Sequence, residues 1–476
     1  IRLVGTTGKG PVRQMEGESF RVLFRTFGCK ANQYDTERMR QELEALGADT
    51  AEGTSSPHLC VVNTCTVTNQ ADADARRFVR RVQRENPGIR VVVAGCSSAL
   101  KPQAYREMEG VVGVVEGHDP VEVARTAVLG LEGRVGEGGL VQLGVRKALD
   151  RLDHEPVGGE LLNRREGGTR GWLKVQDGCD RKCSFCATRL ARGGSRSRTP
   201  QEVLAEARLL ARNHPELVIT GIHIGHYGRD LEKPTALSRL VALLLDELPD
   251  VRFRLGSVEA TEVDDLLMEL LVTSGGRLAP HLHMPLQSGS DAVLQGMRRW
   301  HTRSQYRDRA LEIAEKVPVL GLGADIITGF PGETAHDHDQ TVTLVEELPF
   351  TYLHVFPFSP RDGTVAVELS DPVPQRVAGE RSKELRELGL EKGTAYRRTR
   401  VGTLATVVLE GTAGWGLTED YLRVQVRNSG GAGEALYPGH LQGDGEHLYI
   451  DLSPGSDVLE RDLSSAGPRP TPSTGS

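Results

Sequence analysis

The sequence contains no apolar run approaching the ~18 residues that a membrane-spanning helix needs. Its first twenty residues lack the apolar core of a secretory signal. Cysteine is scarce, seven in 476 residues, and the count is odd. Without an export signal this argues against a disulfide framework and for metal-binding or catalytic thiols. No internal repeat is present. The expectation is a cytoplasmic chain with no membrane segment. Ile1 is not an initiator residue; Met15 is the expected start, and residues 1–14 an appended stretch.

The length predicts roughly two to four domains, and 38% hydrophobic residues exclude a wholly disordered chain. Lys and Arg number 58 against 65 Asp and Glu, a formal net charge of −7. The acidic total hides two basic stretches, residues 164–198 at +7 and residues 76–90 at +5. An acidic protein with separate basic patches fits a selective RNA binder.

Three βα units open the chain. VLFRTF (22–27) leads to Cys29, LCVVN (59–63) to Cys65 and VVVAG (91–95) to Cys96, each followed by a helical stretch. This alternation predicts a doubly wound parallel sheet spanning 20–127, with ligands at the carboxyl ends of the strands, where the three cysteines fall. Cys60 begins its strand instead and reads as a buried core thiol. Residues 128–164 are rich in Gly and charge and read as a linker. A second alternation fills 165–392, with strands expected at 172–176, 217–221, 251–257, 281–286, 320–329 and 351–356. Thr199, Pro200 and Glu202 form a capping box ahead of an apolar face of Val203, Leu204, Ala207, Leu210 and Ala211. Six units are too few for a closed eight-stranded barrel, so a partial (βα)6 barrel is expected. Residues 393–455 hold short β-rich runs separated by Gly and predict a small all-β barrel. The tail 456–476 is disordered by composition.

Cys179, Cys183 and Cys186 form C-x-x-x-C-x-x-C directly after the strand at 172–176. Three thiolates on one loop can hold a four-iron cubane and leave one iron open. A zinc site would need a fourth ligand, and none of suitable spacing follows. CDRKCSFC at the mouth of a partial barrel resembles the radical S-adenosylmethionine (SAM) enzymes. The resemblance implies that SAM chelates the open iron and is cleaved to methionine and a 5′-deoxyadenosyl radical. The stretches TFGCKANQYDTERM, VVNTCTVTNQADADARR and VVVAGC resemble the methylthiotransferases within that superfamily. There Cys29, Cys65 and Cys96 would carry an auxiliary cluster, making two [4Fe-4S] clusters in all, and the terminal unit would be a TRAM-like domain docking the substrate.

Among the branches, QDGCDRKCSFC, ARGGSRSR, HVFPFSPRDGT and GLTEDYLRV look most like the enzymes that act on N6-threonylcarbamoyladenosine at position 37 of tRNA. The implied reaction places a methylthio group on C2 of that base. The alternatives are isopentenyladenosine-37 in tRNA or an aspartate of a ribosomal protein. A non-catalytic iron–sulfur or zinc RNA-binding protein is the competing class, separable by metal analysis. No side chain is expected as general base. Phe185, between cluster ligands, is placed to border the adenine of SAM, and Ser257, Gln287 and Asp325 match family wording for SAM and substrate contacts; His281 and His283 alternate on one strand, so one can face the cavity, though structural histidines are commoner than ligands. Arg189, Arg192, Arg196 and Arg198, with Arg397, Arg398 and Arg400, are expected to meet phosphates of the tRNA anticodon arm. An electron donor such as a flavodoxin or ferredoxin, and a sulfur donor, are further expected partners. The sequence departs from the family after Cys186, where Ala187, Thr188 and Arg189 replace an apolar pair and a proline, and again at Gly363-Thr364-Val365, which lacks its proline.

Overall fold

The computed structural model describes residues 20–50, 56–133, 161–165, 167–411, 414–428 and 435–452. Residues 1–14, most of the expected linker and the expected disordered tail lie outside the described residues.

The N-terminal sheet contains β1 (Phe20–Thr26), β2 (Ala48–Asp49), β3 (Leu59–Thr64), β4 (Arg90–Gly95) and β5 (Val111–Val114). All are parallel, in the order β2-β1-β3-β4-β5. Strands buried on both faces must be apolar throughout, and β3 is buried at every position. Alternate side chains serve opposite faces. Val61, Val92 and Ala94 pack under the helices Lys30–Ala45 and Pro120–Leu131. Cys60, Val62, Val91 and Val93 pack with Val79 and Val82 of the helix Asn69–Glu85. Helices on both faces make the doubly wound arrangement. Strand order reverses between β1 and β3, the point at which such folds open a crevice.

The central unit supplies β6 (Arg170–Lys174), the short antiparallel pair β7 (Gln176–Asp177) and β8 (Arg196–Ser197), then β9 (Glu216–Thr220), β10 (Arg252–Leu255), β11 (His281–His283), β12 (Gly321–Thr328) and β13 (Tyr352–Pro357). All six expected strands are present. β6, β9 and β10 form one parallel sheet and β11, β12 and β13 another, joined by bridges Phe253–Leu278 and Ser257–His283. One core runs through both halves, from Trp172 to Leu385, so the strands act as a single open barrel. Thr199 and Glu202 make the expected capping box, and Val203, Ala207 and Leu210 are buried.

The helix Gln375–Arg400 continues past residue 392, so the β-rich unit begins only at β14 (Leu404–Glu410). With β15 (Trp415–Thr418), β16 (Arg423–Arg427), β17 (Leu436–His440), β18 (Gln442–Gly443) and β19 (Leu448–Asp451) it makes a curled six-stranded sheet around Val407, Val424, Leu441 and Ile450. This sheet caps the amino-terminal end of the barrel. Arg252 donates to the carbonyl of Thr406 at 2.7 Å, and Arg254 to those of Thr418 and Glu419 at 2.9 Å. Among the described residues no helix is long and apolar enough to cross a membrane.

Candidate active site at the junction of three units

Cys29, Cys65 and Cys96 follow the carboxyl ends of β1, β3 and β4, three adjacent strands, so the fold gathers residues far apart in sequence. Gly28 has φ +103°, and a Cβ there would stand 2.6 Å from Cys65 Sγ, so only glycine allows the turn to pass that sulfur. Asn32 lies between the others: its Oδ1 is 3.9 Å from Cys29 Sγ and 3.8 Å from Cys96 Sγ. Its amide nitrogen donates to the carbonyls of Phe27 and Thr64, fixing that orientation. Burial pushes the Cys65 thiol up to about 12 and that of Cys96 up to about 11, the latter against the pull of Arg192. Cysteine binds iron as thiolate, so loading this site must release protons. Three convergent thiols beside a guanidinium fit an iron–sulfur cluster. Cys60 is fully buried on β3, inside the second packing layer, and serves the core.

Cys179, Cys183 and Cys186 occupy the loop between β7 and the short helix Thr188–Arg192. Each sulfur has a polar neighbour. Cys179 Sγ is 3.6 Å from His223 Nδ1, Cys183 Sγ is 3.7 Å from Arg299 Nη1, and Cys186 Sγ is 3.1 Å from Thr188 Oγ1. His223 is held from its other side by Glu262 at 2.9 Å. Two imidazoles, His223 and His226, keep the Glu262 carboxyl far below the usual range. None of these neighbours was visible in the spacing. His223 comes from 44 residues downstream and stands where the sequence offered no fourth donor. Such groups tune a cluster through hydrogen bonds to its sulfurs. Thr188, one of the family departures, contacts Cys186 with both hydroxyl and backbone nitrogen.

Phe185, Cys186, Gln287 and Asp325 line one cavity of about 150 Å³, closed by Thr66–Thr68 of the N-terminal unit and by Phe356. Gln287 holds φ +69° and is pinned by backbone bonds to Asp325 and Ile327. Asp325 is flanked by His283 at 3.0 Å and His354 at 3.2 Å, which hold its carboxyl well below the ordinary range. Ser257 is exposed and bridges to His283, outside that cavity wall. Both His281 and His283 are buried and reach the Tyr352 hydroxyl, at 2.8 and 3.1 Å.

The arginines after the second triad need correcting. Arg192 is fully buried and cannot meet phosphate. Its guanidinium spans the domain boundary, bonding Asp35 at 2.7 Å, Asn32 at 2.6 Å, Asp177 at 2.9 and 3.0 Å, and Cys96 Sγ at 3.2 Å. Lys174 completes the group, 2.6 Å from both Asp35 and Asp177. Asp177 stands two residues before Cys179, so Arg192 links the loops of the two triads. Arg198 is buried against Glu206 at 2.8 Å, and Arg400 against Asp420 at 2.8 Å. Both are structural, because a buried charge needs a partner. Arg189 and Arg398 remain exposed. A further ion pair, Arg361–Asp72 at 2.8 Å, is buried between the barrel and the N-terminal unit.

The barrel lumen is cationic at its amino-terminal end. Glu216 is shared by Arg252 at 2.6 Å, Arg254 at 2.9 Å and Arg170 at 3.7 Å. Lys30 enters from beside Cys29, and burial together with Arg170 and Arg254 lowers its ammonium to about 8.

The family model described as Uncharacterized protein family UPF0004 matches residues 21–117, and the Radical SAM superfamily matches residues 173–345. Threonylcarbamoyladenosine tRNA methylthiotransferase MtaB of Bacillus subtilis (strain 168) is 36% identical over 377 residues, covering 79% of this chain and 81% of the relative. The tRNA-2-methylthio-N(6)-dimethylallyladenosine synthase of the same organism is 31% identical, covering 83% of this chain and 77% of the relative. Among solved structures, the radical S-adenosylmethionine methyltransferase TsrM from Kitasatospora setae shares the fold, with TM-score 0.54 and 17% identity over 74% of this chain and 76% of that one. With two cysteine triads opening on one junction and these relatives, the chain belongs to the radical SAM methylthiotransferases, enzymes that work with an iron–sulfur cluster and SAM.

Proposed function

We propose that the chain adds a methylthio group to C2 of N6-threonylcarbamoyladenosine at position 37 of tRNA, giving the 2-methylthio derivative. The carrying observation is the Arg192 bridge, which sets Cys96 of one triad against the loop of the other across the domain boundary. The reaction needs two cluster sites on one substrate cavity, and this contact supports that arrangement. Cys179, Cys183 and Cys186 would hold the cluster that binds SAM; Cys29, Cys65 and Cys96 would hold a second [4Fe-4S] cluster. The bound cofactors supply radical hydrogen abstraction at an unactivated C–H and the sulfur that replaces it. Phe185, Gln287 and Asp325 would border SAM in the cavity they share with Cys186, and Ser257, which stands outside that wall, would contact SAM from the end of β10. His223, Arg299 and Thr188 would orient the sulfurs of the SAM cluster, and Asn32 and Arg192 those of the second. The anticodon arm of tRNA is the macromolecular partner, a reduced flavodoxin or ferredoxin the electron source, and the cytoplasm the location.

The threonylcarbamoyl branch is favoured because the relative bearing that name is 36% identical, against 31% for the dimethylallyladenosine enzyme. Mass spectrometry of tRNA nucleosides from cells lacking the chain tests it. Loss of 2-methylthio-N6-threonylcarbamoyladenosine with accumulation of its parent is the expected result. Loss of the isopentenyl derivative instead would reassign the substrate.

A further inference from the structure

Lys30 stands at the floor of the lumen with no ion-pair partner of its own, since Glu216, the carboxylate that acts on it, is already shared by three arginines. Lys30 Nζ lies 5.7 Å from the centroid of the Tyr421 ring, and among the described residues no carboxylate stands within ion-pair distance of it. The same ring is stacked on His281 at 4.1 Å and faces the Arg254 guanidinium at 5.4 Å. Arg254 is already one of three arginines around Glu216. A part-buried ammonium above such a floor is poorly compensated until an anion arrives.

Two further observations point to a ligand. Tyr421 holds φ +72°, a conformation that a bulky residue seldom adopts. Backbone strain of this kind gathers at ligand clamps, and here Arg254 fixes the turn by binding the carbonyls of Thr418 and Glu419. The lumen wall above it is aromatic and continuous. Rings of Tyr421, Tyr352, His354 and Phe356 follow one another at 5.5, 5.3 and 6.4 Å. Gly323 makes room for the wall, since a Cβ there would lie 2.0 Å from Tyr352 Cζ. The row runs from Lys30 to the cavity that Phe356 shares with Cys186. Unstacked bases bind walls of this kind.

We infer that Lys30 determines substrate specificity by receiving the carboxylate of the N6 substituent of the adenosine. The inference rests on the substrate proposed above and extends it to a residue. C2 and the N6 substituent leave the six-membered ring at different positions. A base presenting C2 to the cysteine triads can therefore extend its N6 substituent along the aromatic wall towards Lys30. The threonylcarbamoyl group ends in a carboxylate, whereas an isopentenyl group carries no charge. Lys30 thus rewards the first and leaves the second with an unpaired ammonium.

The test is fluorescence-anisotropy titration of the full chain, both cluster sites reconstituted, with anticodon stem-loop RNAs. The RNAs carry at position 37 threonylcarbamoyladenosine, its threonyl methyl ester, or isopentenyladenosine. A charge-assisted bond predicts that wild type binds the acid roughly tenfold to a hundredfold more tightly than the ester. Lys30→Met should bring that ratio near one, and Lys30→Arg should retain most of it. The acid–ester comparison uses unaltered protein, so a folding defect in a variant cannot produce it. Equal binding of acid and ester by wild type overturns the inference, as does a Lys30→Met variant that keeps the ratio. Tighter wild-type binding of the isopentenyl RNA than of both others would instead overturn the substrate proposal itself.

Discussion

Replacing Arg192 by methionine removes the guanidinium that bonds both carboxylates of a buried cluster. Arg192 and Lys174 face Asp35 and Asp177, and all four side chains are buried. After the change Asp35 keeps only Lys174, which it must share with Asp177, while Arg196 reaches Asp177 alone, at 4.0 Å. Breaking a buried pair from one side costs about 3–5 kcal/mol. The methionine fills most of the vacated volume, so little of that loss comes from a cavity. Urea unfolding followed by circular dichroism on the metal-free chain should show the first cooperative transition at lower denaturant by that amount. Asp35→Asn added to Arg192→Met removes the carboxylate left sharing one lysine and should recover about 1 kcal/mol or more through coupling. Arg192→Lys keeps the charge but loses the planar fork that reaches Asn32, Asp35, Asp177, Cys96 and His118, so its loss should be intermediate. If Arg192→Met unfolded within about 1 kcal/mol of wild type, or Asp35→Asn deepened the defect, the charge-pairing reasoning would be wrong.

Other consequences are open to measurement. Changing Cys29, Cys65 and Cys96 together to serine should lower reconstituted iron from about eight to about four per chain; unchanged iron would remove the second cluster from the account. Arg189→Glu, at an exposed arginine three residues after Cys186, should weaken tRNA binding and reduce its salt slope by about one. Arg198→Gln, by contrast, should leave the slope alone and act through stability, because Arg198 is buried on Glu206. Burial lowers His214 and His301 to about 4, and holds His281 well below its ordinary value of about 6.5. The unfolded chain takes up protons below about 6.5 that the folded chain refuses, so stability falls as pH drops from 6.5 towards 4. Denaturant midpoints at pH 7.5 and 5.5 check this, and equal midpoints would refute it.

The cysteine triads were legible because their signal is carried locally: three thiols in eight residues, or a thiol directly after each of three apolar runs. The six barrel strands were legible for a similar reason, since parallel strands buried on both faces announce themselves as unbroken apolar runs. Arg192 was misread because charge in a sequence does not say which way it points. Its partners Asn32, Asp35 and Cys96 lie 160, 157 and 96 residues away. His223 was missed because a histidine between glycines and isoleucines has no periodic signature, and only the barrel brings it to Cys179. The change to β-rich composition marks a boundary at 392/393, but Lys392 through Arg400 continue the preceding helix, whose Leu385 and Gly389 pack on the barrel. Nothing in TFGCKANQYD marks Lys30, because the ring it faces, Tyr421, lies at the far end of the sequence.

Two cysteine triads at one junction imply that a single chain performs the whole methylthio transfer on one base. The most direct test uses the purified chain with both cluster sites reconstituted, supplied with SAM, a low-potential reductant and a sulfide source. The substrate is a stem-loop RNA bearing threonylcarbamoyladenosine, with the nucleosides then read by mass spectrometry. The account predicts the 2-methylthio nucleoside together with 5′-deoxyadenosine, and no methylthio product from the Cys96→Ala protein. Release of 5′-deoxyadenosine from the same mixture without any methylthio product on the RNA would contradict it.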